Sequence, residues 1–324
     1  MNNEAAIGVF LDRGSLGHDT IDLAPLLGTL PEWRMYEATV AHEVAERIRD
    51  ARVVVTNKAP INAEALAGAA SLRLVCVAAT GTNNVDLAAA AGRGVLVCNV
   101  RGYATAAVTQ HVFSLMLALA TQLPEYQAAV RAGRWQQSRQ FCLLDFPITE
   151  LAGKIMGIVG YGELGRSVAR VAEAFGMTLR LAARPGGGAP GRVPLPELLR
   201  EADVLSLHCP LTPQTHNLIG ARELGLMKRE AILINTARGG IVDEAALADA
   251  LQRGRIAGAG IDVLSVEPPG YDSPLLAGDI PGLLVTPHIA WASREARQRL
   301  VAEVGENIRS FLAGHPRNLV TGGI

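Results

Sequence analysis

Short apolar runs alternate with amphipathic stretches along almost the whole chain. Runs of strand length occupy 7–10, 52–56, 73–78 and 95–99, and a second series at 154–159, 178–182, 203–208, 231–235, 256–262 and 283–286. Between many of these runs, apolar residues recur every three or four positions, which predicts helices. Apolar strands separated by helices are typical of parallel α/β proteins. The pattern therefore predicts two series of parallel strands.

The length of the chain and the break between the two series indicate two domains. A chain of 324 residues is too long for one compact core. The last long helical pattern, 293–313, follows the second series. We predict that residues 1–101 and 290–324 form one domain and that residues 102–289 form a second domain inserted into it. The expected architecture is two Rossmann-like parallel-sheet domains, of which the split one is flavodoxin-like.

Composition narrows the classes of partner and compartment. A formal net charge of −1 gives no electrostatic reason to expect nucleic acid or an anionic membrane as a partner. The chain start, 1–4, is neither basic nor apolar, and the most apolar stretch, 104–123, is interrupted by polar residues at 109–111. We therefore expect a cytoplasmic protein without a membrane span. Neither a disulfide framework nor a metal site is predicted, because the cysteines are scattered: Cys76, Cys98, Cys142 and Cys209.

A glycine-rich motif opens the second series of strands. The string Gly160-Tyr161-Gly162-Glu163-Leu164-Gly165 follows an apolar run and begins a helical pattern. In that context the first glycine permits a tight turn, the second lets the backbone approach a pyrophosphate, and the third allows close helix–strand packing. We predict a dinucleotide site here, on the inserted domain. The alternative is a glycine-rich turn without a ligand.

The end of the next strand bears on the choice of dinucleotide. An acidic residue about 20 positions after the motif normally accepts the ribose 2′-hydroxyl of NAD. This chain instead has Ala183 followed by Arg184. A neutral residue removes repulsion towards a 2′-phosphate, and an arginine can bind it. We therefore expect NADPH to be accepted; NAD remains an alternative, because Arg184 could simply point into solvent.

Three polar residues follow three of the apolar runs. Arg238 comes after 231–235, Glu267 after 256–262 and His288 after 283–286. Ligands bind at the carboxyl ends of parallel strands. An arginine can hold a carboxylate with two hydrogen bonds, and a histidine kept charged by a glutamate can exchange a proton with a neighbouring oxygen. The set suits reduction of a 2-oxo acid, although Glu267 could be a solvated loop residue and Arg238 could pair with Asp243.

The segments around these residues closely resemble the D-isomer-specific 2-hydroxyacid dehydrogenases. The resemblance runs from about residue 50 to residue 315, with the motifs in order. Two strings, VAATGTNNVD at 77–86 and HIAWAS at 288–293, are most similar to the glycerate dehydrogenase (hydroxypyruvate reductase) branch. The strings that carry the resemblance are GYGELG (160–165), LHCPLT (207–212), LINTARGGIVD (233–243), GIDVLSVEP (260–268) and TPHIAW (286–291).

The resemblance implies a role for each matching position. Arg238 would bind the substrate carboxylate, helped by backbone N–H groups of Thr80, Gly81 and Thr82. His288 would be the general acid in reduction and the general base in oxidation, paired with Glu267, while the bulk of Trp291 would narrow the substrate site. Asp262 would receive the nicotinamide amide. The positions expected to contact NAD(P)H are Gly160, Gly162, Glu163, Leu164, Gly165, Ala183, Arg184, Cys209, Pro210, Thr215, Thr236, Ala237, Arg238, Asp262 and His288.

The expected activity is NAD(P)H-dependent reduction of hydroxypyruvate or glyoxylate to D-glycerate or glycolate. The split domain would hold the substrate, and the inserted domain the dinucleotide. Two alternatives stay open: a broad-range D-2-hydroxyacid dehydrogenase for larger 2-oxo acids, and a dinucleotide-sensing binding protein on the same fold. The apolar segment 105–123 resembles the helix through which relatives form dimers, so a homodimer is expected.

Overall fold

The computed structural model describes residues 6–17, 21–184 and 190–320. The chain divides into two compact units, Met1–Ala104 with Ala292–Ile324, and Thr105–Trp291. The predicted boundary after residue 101 therefore lies three residues before the observed one, and the predicted return at 290 lies two residues before it. Residues 1–4, on which the expectation about the chain start rests, lie outside the described residues.

Strands and helices alternate through both units, as the apolar pattern predicted. The strands are β1 (Ile7–Phe10), β2 (Glu32–Met35), β3 (Val53–Thr56), β4 (Leu74–Val77), β5 (Leu96–Cys98), β6 (Ile155–Val159), β7 (Thr178–Ala182), β8 (Arg192–Val193), β9 (Val204–Leu207), β10 (Ile232–Asn235), β11 (Gly258–Ile261) and β12 (Leu283–Val285). The helices are α1 (Ala24–Leu27), α2 (Val44–Ile48), α3 (Ala63–Gly68), α4 (Leu87–Gly92), α5 (Thr105–Ala120), α6 (Leu123–Arg131), α7 (Glu163–Ala174), α8 (Leu195–Glu201), α9 (Ala221–Leu224), α10 (Glu244–Gln252) and α11 (Arg294–Leu312).

The first unit contains a five-stranded parallel sheet in the order β2-β1-β3-β4-β5. This is the flavodoxin-like order of doubly wound sheets. Helix α11 returns from the end of the chain to pack against α1 and β4, and the Ser293 hydroxyl caps it by accepting a hydrogen bond from Ala296 N. The predicted split of this unit along the chain follows from that return.

The second unit contains a seven-stranded sheet in the order β12-β11-β10-β9-β6-β7-β8, and all of its pairings are parallel. From β6 the chain continues to β7 on one side, and β9 lies on the other. Such a reversal of strand order opens a crevice at the carboxyl ends of the two central strands. Residues after β6 and β9 are therefore placed where a Rossmann sheet binds its ligand.

Helix α5 is largely buried within its own unit. It packs against α6, α7, β10 and β11, and its buried side chains include Val112, Phe113 and Met116. Among the described residues, no single helix is long and apolar enough to cross a membrane. By length and composition alone α5 and α6 qualify only as a pair, and that pair is bent by 59°.

Candidate active site

The glycine-rich turn joins β6 to α7, and its glycines differ in what surrounds them. Gly160 has φ +94°, and a Cβ there would lie 2.5 Å from the carbonyl carbon of His208. A Cβ on Gly165 would lie 2.2 Å from Gly160 O. A Cβ on Gly162 would meet no atom within 4 Å. The first and third glycines are therefore required by the protein's own packing, whereas the second leaves open space at the start of α7.

That open space fits the pyrophosphate of a dinucleotide. Gly162 is the N-cap of α7, and no side chain caps the helix there. The first N–H groups of a helix have no partner within the helix, and they carry partial positive charge. Phosphate oxygens at this position would accept those N–H groups directly.

Glu163 and Leu164 occupy the first turn of α7. The Glu163 carboxylate accepts a hydrogen bond of 2.5 Å from Thr105 Oγ1 at the start of α5, and Leu164 is half-buried. The neighbouring Arg166 donates to Tyr161 O at 3.4 Å. The Glu163 side chain is thus held against the start of α5, beside the glycine-rich turn.

A second arginine lies near the end of β7, where Ala183 and Arg184 are predicted to determine whether NADPH or NADH binds. Ala183 is half-buried and Arg184 is exposed. Arg192 on the neighbouring strand β8 donates from Nη1 to Ala182 O at 3.2 Å, and its Cζ lies 5.9 Å from the centre of the Tyr161 ring. Arg192 could not be found from the sequence, because only the pairing of β8 with β7 places it there.

The loop after β9 lies against the glycine-rich turn. His208 Nε2 is 2.8 Å from Ser206 Oγ, and its Nδ1 is buried without a hydrogen-bond partner. Burial lowers the pKa of His208 to about 4, so its ring is neutral at pH 7. Burial also raises the pKa of the Cys209 thiol, and a backbone hydrogen bond opposes that shift. Both residues are therefore uncharged beside the dinucleotide turn.

Pro210 and Thr215 close the same loop. Thr215 Oγ1 donates to Pro210 O at 2.7 Å and accepts from Thr212 N at 2.7 Å. The hydroxyl of Thr215 is thereby used within the loop itself.

Arg238 lies on a turn that Asn235 organises. Asn235 is 1% exposed; its Oδ1 accepts from Ala237 N at 3.1 Å, and its Nδ2 donates to Arg238 O at 3.0 Å. Arg238 Nη1 donates to Ala237 O at 2.6 Å. Thr236 is buried, and among the described residues its hydroxyl has no hydrogen-bond partner. The sequence analysis did not single out Asn235, although an asparagine before a turn often hydrogen-bonds the backbone two residues on.

Asp243, the alternative partner considered for Arg238, caps a helix. Its Oδ1 accepts from Ala246 N at 3.0 Å at the start of α10. The carboxylate is therefore committed to the helix N-terminus.

The loops after β10 and β11 touch at Gly239. A Cβ on Gly239 would lie 1.9 Å from Leu264 O. Leu264 N in turn donates to Glu267 Oε1 at 2.9 Å. This contact fixes the loop of Glu267 against the loop of Arg238.

Glu267 and His288 form an ion pair of 2.7 Å between Oε2 and Nδ1. Their side chains are 33% and 26% exposed, so solvent and ligands can reach both. Because Nδ1–H points at the carboxylate, the ring orientation is set and Nε2 is the nitrogen left for proton transfer. This geometry is that of a general acid–base histidine held by a carboxylate.

Asp262 organises the turn on which His288 lies. The side chain is 1% exposed. Its Oδ1 accepts from Thr286 Oγ1 at 2.6 Å and from Ile289 N at 2.9 Å, and its Oδ2 accepts from Ala290 N at 2.9 Å. A carboxylate has about four acceptor positions; three are used here, and the remaining one is enough for an N–H of the nicotinamide amide that the resemblance assigned to Asp262, which stays a prediction.

Trp291 also contacts this turn. Its Nε1 donates to His288 O at 2.9 Å, and His288 itself has φ +53°. The indole that was predicted to narrow the substrate site therefore also supports the main chain of His288.

In the first unit, the loop Thr80-Gly81-Thr82 follows β4. Thr80 Oγ1 donates to Val100 O at 2.9 Å, and Thr80 O accepts from Asn99 Nδ2 at 2.6 Å. Thr82 O accepts from Val85 N at 3.0 Å. Asn99 is buried, so the loop is held from within the unit.

No group of three or more His, Cys, Asp or Glu side chains among the described residues is arranged to hold a metal ion.

Comparison with known proteins identifies relatives over most of the chain. The family model "D-isomer specific 2-hydroxyacid dehydrogenase, NAD binding domain" matches residues 113–290. Glycerate dehydrogenase of Methylorubrum extorquens is 47% identical over 314 residues, which cover 96% of this chain and 98% of that protein.

Two solved structures have the same fold. A D-lactate dehydrogenase from Aquifex aeolicus, complexed with NAD and lactic acid, has a TM-score of 0.83 at 27% identity and covers 98% of this chain and 100% of its own. An NADPH-dependent glyoxylate/hydroxypyruvate reductase from Sinorhizobium meliloti, with NADP and malonate, has a TM-score of 0.80 at 29% identity and covers 97% and 96%.

Proposed function

The chain belongs to the D-isomer-specific 2-hydroxyacid dehydrogenase family, and on that premise we propose that it transfers hydride between NAD(P)H and a small 2-oxo acid. The proposed reaction is the reversible reduction of hydroxypyruvate or glyoxylate to D-glycerate or glycolate. The observation that carries the proposal is the 2.7 Å ion pair between His288 and Glu267. The two residues follow β12 and β11, in the same sheet as β6, which leads into the glycine-rich dinucleotide turn.

Each residue of the pair and its neighbour Arg238 has a defined task in this proposal. A bound nicotinamide supplies the hydride to the carbonyl carbon. His288 Nε2 donates a proton to the carbonyl oxygen, and Glu267, hydrogen-bonded to Nδ1 at 2.7 Å, holds the ring in its orientation. Arg238 binds the carboxylate of the acid; because a guanidinium has five donors, it can keep its bond to Ala237 O and still offer two parallel hydrogen bonds. The N–H groups of Thr80, Gly81 and Thr82 are proposed to assist it.

Several features of the second unit support a dinucleotide as cofactor. The space beside Gly162 and the carboxyl edge of β9 are open to it, and the buried hydroxyl of Thr236 has no hydrogen-bond partner among the described residues. Exposed Arg184 and the neighbouring Arg192 favour the 2′-phosphate of NADPH, and an acidic residue that would repel it is absent after β7. We propose that NADPH is preferred and that NADH is also used.

The proposed assembly is a cytoplasmic homodimer. The apolar side chains of α5 are largely buried within one unit, so they do not by themselves require a partner. A stronger indication is the segment after α6, which exposes several large apolar side chains close together in sequence, since exposed apolar surface marks interaction sites. We call it the 135–148 patch, and its members are Trp135, Phe141, Leu144 and Ile148, which are 51%, 89%, 83% and 59% exposed.

The activity is tested by the fall in NAD(P)H absorbance when a 2-oxo acid is added. We expect turnover of hydroxypyruvate and glyoxylate with both dinucleotides, with a higher kcat/KM for NADPH. A panel with pyruvate and a bulkier 2-oxo acid separates this proposal from a broad-range enzyme. Dinucleotide binding without turnover of any of these acids would refute the proposed reaction and favour a dinucleotide-sensing protein.

The proton-transfer role is tested by His288→Ala. We expect kcat to fall by about 100-fold or more, while the dissociation constant of NADPH is unchanged, because the ring acts on the carbonyl oxygen. Near-normal turnover in this variant would refute the role of His288.

A further inference from the structure

His111 on α5 is not one of the groups assigned to the reaction, but it contacts Thr286, which belongs to the hydrogen bonds that hold the turn of His288. Its Nε2 is 2.9 Å from Thr286 Oγ1, and its side chain is 17% exposed. We propose that His111 is a positioning residue: it holds the turn of His288 in place by acting through Thr286 and Asp262. This inference rests on the function proposed above for His288.

The direction of each hydrogen bond follows from the donors available. Asp262 accepts two backbone N–H groups, as suits an ionised carboxylate, so the 2.6 Å bond from Thr286 Oγ1 uses the hydroxyl proton. The hydroxyl oxygen can then only accept from its other neighbour. His111 Nε2 must therefore carry a hydrogen and donate it to Thr286. The same nitrogen lies 3.5 Å from Asp262 Oδ1, where its proton also attracts the carboxylate.

The turn of His288 is one that needs support. His288 has φ +53°, a left-handed conformation that non-glycine residues rarely adopt and that persists only where the surroundings fix it. Asp262 supplies that support through Ile289 N, Ala290 N and its own carbonyl, which accepts from His288 N at 2.8 Å. Fixing the Asp262 carboxylate thus fixes the main chain of the proton donor.

The packing of α5 explains why His111 can reach this turn. The helix approaches β11 so closely that a Cβ on Gly260 would lie 2.8 Å from Leu115 Cβ. His111 lies about one helical turn before Leu115, on the same face. The close contact at Gly260 therefore sets the distance from His111 to Thr286, at the carboxyl end of β12.

The test compares two variants that break the chain of bonds with one that does not. Thr286→Val removes the hydroxyl at nearly constant shape, and His111→Phe removes the ring donor. The control is Thr109→Val, which removes a buried 2.9 Å bond from the same helix to Ser167 Oγ but does not touch the turn. Each variant is assayed for kcat and KM with hydroxypyruvate, for Tm, and for hydrogen–deuterium exchange of the peptide spanning 286–291.

We expect Thr286→Val and His111→Phe to lower kcat by about ten- to a hundred-fold with little change in KM, because small displacements of a proton donor are costly. The 286–291 amides should exchange faster in both. Thr286→Ser keeps the hydroxyl and should have the parent kcat and amide exchange. The double variant of His111→Phe with Thr286→Val should lose no more kcat than Thr286→Val alone, since both changes break the same chain of hydrogen bonds. Thr109→Val should lower only Tm.

The inference would be overturned if His111→Phe kept the parent kcat and amide exchange. It would also be overturned if Thr109→Val lowered kcat and raised exchange as much as His111→Phe does. Failure of the proposed function has a different signature: the parent protein would then bind the dinucleotide but turn over none of the 2-oxo acids. Exchange at 286–291 would still report in that case whether His111 holds the turn.

Discussion

A histidine and an aspartate flank β9, and burial acts on them in opposite ways. His208 follows the strand, and burial lowers its pKa to about 4. Asp203 precedes it; burial tends to raise the pKa of that carboxyl, but hydrogen bonds from Lys228 and Ile155 N outweigh burial and lower it. The two residues that flank β9 therefore change their native protonation states at different pH values.

The pH dependence of stability should reveal His208. An unfolded histidine has a pKa of about 6.5, so between pH 6.5 and about 4 the unfolded state binds more protons than the folded state. The free energy of unfolding should therefore fall as pH falls through this window. Urea denaturation at several pH values measures it. Asp203 contributes only below its ordinary value of 3.8, so its effect lies outside the window.

The control for this prediction is His208→Gln, which cannot titrate. It should flatten the fall in stability between pH 6.5 and about 4 that the parent displays. An unchanged slope in the variant would contradict the assignment.

Arg184 should discriminate between the two dinucleotides. We expect Arg184→Ser to raise the KM for NADPH about tenfold and to leave the KM for NADH nearly unchanged, because only the 2′-phosphate offers a partner for the guanidinium. Steady-state assays with both dinucleotides measure this. Arg170→Ser, which removes an exposed arginine of α7, is the control. A parent enzyme that strongly prefers NADH would contradict the prediction.

The sequence predicts a role for Arg238, Glu267 and His288, but none for the residues that hold them. Glu267 and His288 follow neighbouring strands, so their meeting at 2.7 Å could be anticipated from strand order. His111, Thr286 and Asn235 act through contacts between separate loops and helices. No local pattern encodes such contacts, so the sequence alone gives no sign of a role for His111.

The glycine-rich turn is best understood as an element, because strand, turn and helix constrain one another. Gly165 packs against Gly160 O, whereas Gly162 borders open space and has φ −84°, which any residue can adopt. Two glycines of one motif thus have separable roles, one in folding and one in ligand binding.

Alanine substitutions should separate these roles. Gly165→Ala should lower Tm by several degrees or prevent folding, since its Cβ would lie 2.2 Å from Gly160 O. Gly162→Ala should keep the parent Tm but weaken NADPH binding about tenfold or more, because the methyl group would occupy the space of the pyrophosphate. Thermal unfolding and fluorescence titration measure the two effects. Equal loss of stability in both variants would contradict the distinction.

Element prediction succeeded for the central strands and missed two of the four strands at the sheet edges. The apolar runs at 52–56 and 73–78 became β3 and β4, whose residues are fully buried. Two edge strands, β2 and β8, were not predicted, because their residues are partly exposed and have no continuous apolar pattern. The strand β2 forms because it pairs with β1, where the Trp33 ring packs over Gly8. Such pairing is a tertiary effect that outweighs local preference.

At the scale of the whole molecule, the insertion of one unit into the other was accessible to sequence analysis. The order of the strand series and the final helix implied it, and the observed units follow that order. The surface for self-association was not accessible in the same way. The apolar character of 105–123 is used inside one unit, while the 135–148 patch has no regular period and became visible only through exposure.

The proposed dimer should depend on the 135–148 patch. Phe141→Asp combined with Leu144→Asp should convert the dimer to a monomer, since buried charges without partners are costly at an interface. Light scattering coupled to size exclusion measures the mass. Val40→Asp, which alters a 53% exposed apolar residue of the other unit, should leave the mass unchanged. A double variant that stays dimeric would contradict the assignment of the interface.

The contact of Gly239 with Leu264 O limits how this enzyme could be re-engineered. Only a hydrogen atom fits at that position, because a methyl group would lie 1.9 Å from the carbonyl oxygen. The loop of Arg238 and the loop that carries Glu267 are therefore packed against each other at a contact that leaves no room for a side chain. A library that varies 236–240 to change substrate preference should keep Gly239 fixed. Variants that replace Gly239 will lose catalysis and specificity together.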